Sequence, residues 1–341
     1  MKPSVIHAVN PLDQFLGIYE SLRGDAWWPT DQAWLRFAAQ AAVMRPANPG
    51  ATARAIRATA ESLHLQAPWY NPLPPMLRVV VAATLVQIGE EPQAFDHTLV
   101  TTRAMFRNAG LPDTSENDIL AILALRVLTN DSNINEKTVE RLRAIYTSMK
   151  RHHWWLTGKD DLPSCAVMTA CPGSPAAIEG AAETIYQILH ARDIPADQDL
   201  QTAANMLTLA GLQPDQVTAR FFDLIAALRS AGTHVDSERF CAFALLSLLD
   251  HEQQRIGVRF QEILTPLEKL EPLLVGPVDA NIAADLTFLD LIRFDRNMRP
   301  RNGPDELERV RSAIRFQRAA SLVLVHVLPQ PLPIIDPPFN F

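Results

Sequence analysis

The chain has 341 residues and a formal net charge of −7 at pH 7, with 48% apolar and 20% charged residues. This length and apolar share suffice for two average domains or for one elongated array with a continuous core. The acidic balance argues against a protein whose whole surface binds nucleic acid, because phosphate contacts dominate such affinity. The three cysteines form no CxxC pair, and they predict neither a disulfide framework nor a zinc site.

The N-terminal segment contains no apolar signal-peptide core, since Asn10 and Asp13 soon follow the first residues. No uncharged apolar run reaches about 18 residues, so we expect no membrane-spanning helix. A cytoplasmic location is therefore our expectation.

The first 75 residues predict three helices. The first runs from about Pro11 to Arg23, the second begins near Asp31, and the third covers about 51–65. Residues 67–75 contain four prolines and cannot form a regular helix. We place a domain boundary there, which makes residues 1–75 an N-terminal helical cap.

Six pairs of helices are predicted after this boundary. The first helix of each pair is rich in alanine and leucine, whereas the second carries more charge and an aromatic residue. The expected pairs are 76–88 with 93–109, 115–129 with 135–152, 158–171 with 175–192, 197–210 with 214–231, 235–249 with 256–271, and 278–294 with 304–328.

A weak repeat of about forty residues runs through this part of the chain. Four similar segments begin at Met105, Met149, Leu189 and Leu228, and an acid that opens the next apolar helix follows each by about ten residues. A period of this size is typical of stacked helical hairpins. We therefore predict an all-α fold with a HEAT- or armadillo-like α-solenoid over residues 76–328. Residues 329–341 contain five prolines and predict an extended tail.

Several short motifs over residues 67–290 resemble a bacterial family known as DUF4003. They occur in order along the chain, at Leu77-Arg78, Ile145 to Lys150, His153 to Gly158 with Asp161, and Leu200-Gln201. The family has no established activity. The resemblance therefore implies membership of a group and no chemistry.

The densest candidate site is the segment from Arg151 to Asp161, which joins two predicted hairpins. A histidine with a carboxylate partner can act as a general base or metal ligand, so one hypothesis pairs His153 with Asp161. The structural alternative has Asp160, three residues after Thr157, completing a capping pattern, and Asp161 in the first helical turn. As a binding surface, the segment would contribute His152, Trp154, Trp155, Thr157 and Asp160.

A second candidate is a polar stripe at Asp197, Gln201 and Asn205, which are spaced four residues apart on one predicted helix. Such a stripe could line a groove and bind a peptide backbone. The alternative is a solvated helix face with Asp197 as the N-cap.

The C-terminal part is locally basic, with eight arginines in residues 290–318. We expect a basic patch at Arg299, Arg301, Arg311 and Arg315, and Arg318 shares a helical face with the last two. Arginine clusters bind phosphate or carboxylate groups through bidentate contacts. A nucleic-acid partner is disfavoured by the overall negative charge.

Sequence motifs for particular reactions are incomplete. Asp160 and Asp161 begin a DDxxD-like pattern that lacks its third acid, and Ser164 has no GxSxG surroundings. The sequence indicates no metal set and identifies no cofactor. We therefore expect a binding or scaffold module that holds a protein, a peptide or a small ligand in a concave groove. The alternative is an enzyme with the His153 and Asp161 site.

Overall fold

The computed structural model describes residues 10–24, 32–66, 73–113, 116–129, 133–152, 158–192, 194–195, 197–271, 273–274, 277–294 and 304–326. Within these ranges the chain is all α-helical and contains no strand, which confirms the predicted class. The helices are α1 (Pro11–Arg23), α2 (Gln32–Ala41), α3 (Pro49–Gln66), α4 (Pro75–Ile88), α5 (Pro92–Ala109), α6 (Glu116–Thr129), α7 (Glu136–His152), α8 (Leu162–Met168), α9 (Pro175–His190), α10 (Gln198–Thr208), α11 (Pro214–Ser230), α12 (Phe240–Leu246), α13 (Gln253–Leu267), α14 (Val278–Phe294) and α15 (Pro304–His326).

Proline opens many of these helices, as the sequence predicts. A proline at the first helical position costs no hydrogen bond, because that backbone N–H has no partner within the helix. Glycine ends two of them: Gly89 after α4 and Gly110 after α5 adopt left-handed φ angles of 75° and 71°. Only glycine takes this conformation without strain, so these residues stop the helices sharply.

The even-numbered helices form a closed inner ring. Each of α2, α4, α6, α8, α10, α12 and α14 packs against the next, and α14 packs against α2. These helices are buried on all sides: every residue of α8 and α12 is buried, and so is every residue from 280 to 291 of α14. A helix buried on all faces has no polar side, which explains why this part of the sequence shows long apolar runs.

The odd-numbered helices form an outer layer. From α1 to α13, each packs against the next odd-numbered helix. Each buries a single stripe at helical spacing, such as Phe221, Leu224, Ile225 and Leu228 on α11. Their opposite faces carry the charged residues that the sequence assigns to the second helix of each predicted pair.

The last helix, α15, occupies the interior of the ring. It contacts α6 and α8 on one side and α2, α12 and α14 on others. Its residues 319–325 are all buried, whereas residues 312–316 are partly or fully exposed. The C-terminal half of α15 is therefore the part that fills the ring.

The predicted HEAT- or armadillo-like stack with a concave groove is not confirmed. The array closes on itself because α14 meets α2, and the enclosed space is filled by α15. The repeat period predicts local stacking but gives no information on the curvature that accumulates along the array. The predicted pairing is also shifted, because extensive contacts join α3 to α4, α9 to α10 and α13 to α14.

The first three helices do not form a separate cap. Helix α2 belongs to the inner ring, α1 and α3 belong to the outer layer, and their apolar residues join the same core as the rest. The proline-rich stretch at 67–72, where we placed a boundary, and the tail at 329–341 lie outside the described residues.

The four similar segments occupy equivalent places. They end α5, α7, α9 and α11, and the following acids Asp118, Asp161, Asp199 and Glu238 lie at the start of the next inner helix. In the part of the chain that the structure describes, no helix has both the length and the apolar character of a membrane span.

Candidate functional site

Asp161 serves the local backbone and the neighbouring helix. It is buried, and its Oδ2 accepts the Gly158 N–H at 3.0 Å, which stabilises the single 3-10 turn before α8. Its Oδ1 accepts from Nε2 of Gln198 at 3.0 Å and of Gln201 at 3.4 Å. The acid thereby ties the start of α8 to α10, a contact that the sequence does not predict.

The predicted cap lies one residue away from the observed one. Asp161 bonds to the backbone of Gly158, whereas the sequence pairs Asp160 with Thr157. Asp160 is exposed, and its Oδ1 accepts from Nδ2 of Asn117 on α6 at 2.6 Å. His153, Trp154, Trp155, Thr157 and the side chain of His152 lie outside the described residues, so the predicted pairing of His153 with Asp161 stays a prediction.

Gln201 and Asn205 of the polar stripe are buried, so the solvated face that we considered is wrong for these two residues, whereas Asp197 is partly exposed. Asp197 is the N-cap, since its side chain accepts the Leu200 N–H at 2.9 Å. Gln201 and Asn205 are each only 3% exposed and line a small cavity with Met149 and Glu179. Because Gln201 also donates to Asp161, two candidates that the sequence treats separately lie in contact.

The basic patch is only partly visible. Arg299, Arg301 and the side chain of Arg311 lie outside the described residues. Arg315 is partly buried and donates from Nη2 to Ser312 Oγ at 3.0 Å. Arg318, on the same helix, turns towards the ring interior and lines a pocket there.

Two polar contacts close the ring between α2 and α14. Arg36, which is fully buried, donates from Nη1 to Asp279 Oδ1 at 2.5 Å and from Nη2 to the Leu270 carbonyl at 2.9 Å. One turn further along, Gln40 donates from Nε2 to Asp285 Oδ2. Burial raises the pKa of Asp279 even though Arg36 opposes this effect.

Asp285 is the centre of a buried hydrogen-bond network that joins three helices. Its Oδ2 accepts from Gln40 of α2. Its Oδ1 accepts from Gln317 Nε2 at 2.8 Å and from Ser321 Oγ at 2.6 Å, both on α15. Burial raises the pKa of Asp285 to about 7, although the three donors favour the ionised form. The ring and its central helix therefore share one titratable anchor.

A pocket lies beside this network, between α2, α4, α14 and α15. Its walls are largely apolar, and its polar groups are few: Gln40, Thr84, Gln87, Gln317, Arg318 and Ser321. The apolar lining comes from Phe37, Ala41, Val43, Met44, Val80, Leu289, Leu322 and Val325. The free volume is about 20 Å³, which is room for about one water molecule.

Three side chains that line this pocket have a polar group without a partner among the described residues. The Oε1 atoms of Gln87 and Gln317 are buried, and no described residue donates a hydrogen bond to them. No carboxylate of the described residues forms a salt bridge with Arg318, and burial lowers the pKa of this guanidinium to about 10. Arg318 is itself partly exposed, whereas the two amide oxygens are buried. Buried polar groups in proteins are normally paired, so these two oxygens mark a place where a ligand or ordered water is expected.

Other reactive groups do not gather into a site. In the described ranges, no three His, Cys, Asp or Glu side chains are placed to hold a metal ion. The three thiols are buried and free, and burial raises the pKa of each, to about 11 for Cys171. A thiol in this state is a poor nucleophile.

These features define an all-α ring protein with a polar anchor and a small pocket in its interior. The family model that matches it is DUF4003, described as a protein of unknown function, and it covers residues 18–286. The chain belongs to this family, which confirms the resemblance seen in the sequence. No curated protein and no solved structure matches the chain.

The family match corresponds closely to the ring. It begins within α1 and ends within α14, so Arg36, Gln40, Asp279 and Asp285 all lie inside it. Helix α15, with Gln317, Arg318 and Ser321, lies beyond the matched residues. The pocket therefore combines side chains from the family region with side chains from the C-terminal helix.

We predict that replacing Asp161 with alanine destabilises the protein far more than replacing its neighbour Asp160. Asp161→Ala leaves one backbone and two amide donors without their acceptor in a buried place, at a cost of about 1–3 kcal/mol per group. Asp160→Ala removes one bond at an exposed position and should cost less than about 1.5 kcal/mol. Urea unfolding of the two variants measures the difference, and equal losses would contradict the assigned role of Asp161.

We predict that Asp285 lowers the stability of the fold as the pH rises. The ordinary pKa of an aspartate is about 3.9, and that of Asp285 in the fold is about 7. Between these values the native state holds a proton that the unfolded state has lost. The contribution of Asp285 to the free energy of unfolding therefore falls as pH rises from about 4 to about 7.

The variant Asp285→Asn removes this titration, so its stability should rise relative to the wild type between pH 5 and pH 8. Urea midpoints at both pH values measure the effect. Asp199, whose pKa burial raises to about 6, is present in both proteins and cancels from the comparison. Glu61→Gln, at an exposed position on α3, is the matched control and should leave the pH profile unchanged. A profile of Asp285→Asn that parallels the wild type would refute the assignment.

Proposed function

We propose that the protein is a binding protein whose small ligand occupies the pocket between α2, α4, α14 and α15. The observation that supports this most strongly is the set of three polar groups that have no partner among the described residues in a largely apolar pocket. Ligand sites typically combine apolar walls with a few polar groups that fix orientation. This retains the binding role expected from the sequence, but it moves the site from an open groove to the ring interior.

The pocket is tight, and this limits its ligand. A free volume of about 20 Å³ admits no more than about one water molecule while the surrounding side chains stay in place. An organic ligand must displace side chains at the wall, and Met44 and Arg318 are long and flexible. Both are partly exposed. We therefore propose that the ligand has only a few heavy atoms and that it enters past these two side chains.

A peptide or protein partner in a concave groove receives no support from the fold, because α15 takes up the space that a groove would offer. The enzyme hypothesis for His153 and Asp161 also lacks a supporting observation. Asp161 is occupied by donors from Gly158, Gln198 and Gln201. An acid held in this way resembles a structural cap more than a group poised to orient a base.

Methionine methyl NMR can locate the ligand, because Met44 lines the proposed pocket and Met149 lines the separate small cavity beside Asn205. We expect a mixture of neutral and charged molecules of roughly three to six heavy atoms, which need only a small displacement of Met44 and Arg318, to shift the Met44 resonance. Resonances of Met149 and of methionines elsewhere should stay unchanged.

A variant that fills the pocket provides the control for this experiment. Ala41→Leu adds a larger side chain at the pocket wall and should abolish the Met44 shift. Ala58→Leu makes the same change at an exposed position on α3 and should preserve it. Shifts at Met149 alone, or no shift at any methionine, would overturn the proposed site.

A further inference from the structure

We infer that the ligand of this pocket is a short monocarboxylic acid that also carries a hydroxyl group. The inference rests on the proposed function, since it names the chemical class that the same pocket selects. Three features support it: an unpaired guanidinium, two unpaired amide oxygens, and apolar walls that enclose little space.

The guanidinium of Arg318 selects the negative charge. It lines the pocket, and desolvation lowers its pKa, while no acid of the described residues pairs with it. Even with a pKa of about 10 it is positively charged at neutral pH. Arginine presents a planar pair of donors that matches the two oxygens of a carboxylate. A carboxylate at this place would supply the partner that the described residues do not.

The two amide oxygens select a hydroxyl donor. Gln317 is 1% exposed, and its Nε2 is committed to Asp285 and Ser321, which leaves Oε1 as the unpaired atom. Gln87, on α4, likewise has a buried Oε1 without a donor. An amide oxygen only accepts hydrogen bonds, so its partner must carry an O–H or N–H group. A hydroxyl on the ligand meets this need without adding charge.

The remaining walls limit the size and the number of charges. Phe37, Val80 and Leu322 are buried apolar side chains, and the space between them is small. A second carboxylate would be placed against apolar carbon or against the amide oxygens, and both arrangements are unfavourable. Acids with roughly two to four carbons and one charge require the smallest displacement of Met44 and Arg318 and add no second charge.

A water molecule is the competing occupant, because one water could donate to both amide oxygens and accept from Arg318. Titration calorimetry or methyl NMR with three related probes separates the possibilities. Lactate has the carboxylate and the hydroxyl, propionate has only the carboxylate, and 1,2-propanediol has only hydroxyls. All titrations are made at one ionic strength, with sodium chloride as the balance.

We expect lactate to bind about tenfold more tightly than propionate, which corresponds to one net hydrogen bond of about 1.4 kcal/mol. Propanediol should bind at least about tenfold more weakly than lactate, since it lacks the charge-assisted contact. Gln87→Met should remove most of the advantage of lactate over propionate. Arg318→Met should weaken both acids at least about tenfold and leave propanediol unchanged.

The outcomes separate this inference from the proposed function. Equal binding of propanediol and lactate, observed at Met44, would refute the claim that the ligand is an acid but would leave the binding site standing. Equal binding of lactate and propionate would refute the claim that the ligand carries a hydroxyl group. If none of the probes binds and none of the mixed small molecules shifts Met44, water is the occupant and both proposals fail. Arg318→Lys keeps the charge but loses the planar pair of donors, and it serves as a second variant in case Arg318→Met does not fold. The inference requires the lactate affinity of Arg318→Lys to lie between those of the wild type and Arg318→Met.

Discussion

A salt bridge between Arg36 and Asp279 joins two helices whose residues lie 243 positions apart in the chain, and the closed ring depends on this junction. Arg36 contacts the carboxylate of Asp279, the Leu270 carbonyl and the ring of Tyr19, whose centroid lies 5.4 Å from the guanidinium carbon. Burying such a pair is expensive, and burial indeed raises the pKa of Asp279. The pair is therefore better understood as a device that specifies which helices meet than as a large source of stability.

Closure determines what the interior must contain. Once α14 meets α2, the inner helices have no solvent face, and the space that they surround has to be filled by apolar surface. The C-terminal half of α15 supplies that surface, and Asp285 fixes it in place through Gln317 and Ser321. The pocket with Arg318 is the remaining space where the packing of α15 against α2, α4 and α14 is incomplete. A ligand bound in this pocket would contact α15, so its affinity would depend on the position of α15.

The sequence predicts the helices well because their signals are local. Apolar runs such as 79–86 show burial on every face, and prolines such as Pro175 and Pro214 mark helix starts. The sequence pattern assigns the cap to Asp160 and Thr157 and places Asp161 in the first helical turn. The observed bond from the Gly158 N–H to Asp161 was missed because glycine offers no side chain to complete a capping pattern.

Closure and the pocket could not be predicted, because their determinants are distant in sequence. Nothing in the neighbourhood of Arg36 or Gln40 indicates Asp279 or Asp285, which lie more than 240 residues further on. Arg318 was visible as one member of a helical face with Arg311 and Arg315. That it alone of the described arginines on this helix lines the pocket follows only from the insertion of α15 into the ring. The buried state of Gln201 and Asn205 has the same origin, since their helix belongs to the inner layer.

A double-mutant cycle on Arg36 and Asp279 tests the closed ring most directly. Arg36→Met, Asp279→Asn and the combined variant would be unfolded in urea, and losses at Leu270 and Tyr19 cancel from the coupling energy. A closed ring predicts a coupling of about 1–3 kcal/mol, because each single variant leaves one buried partner of the pair without its counterpart. Losses that add within about 0.5 kcal/mol would show that α2 and α14 do not meet, and the account of the interior would fail with them.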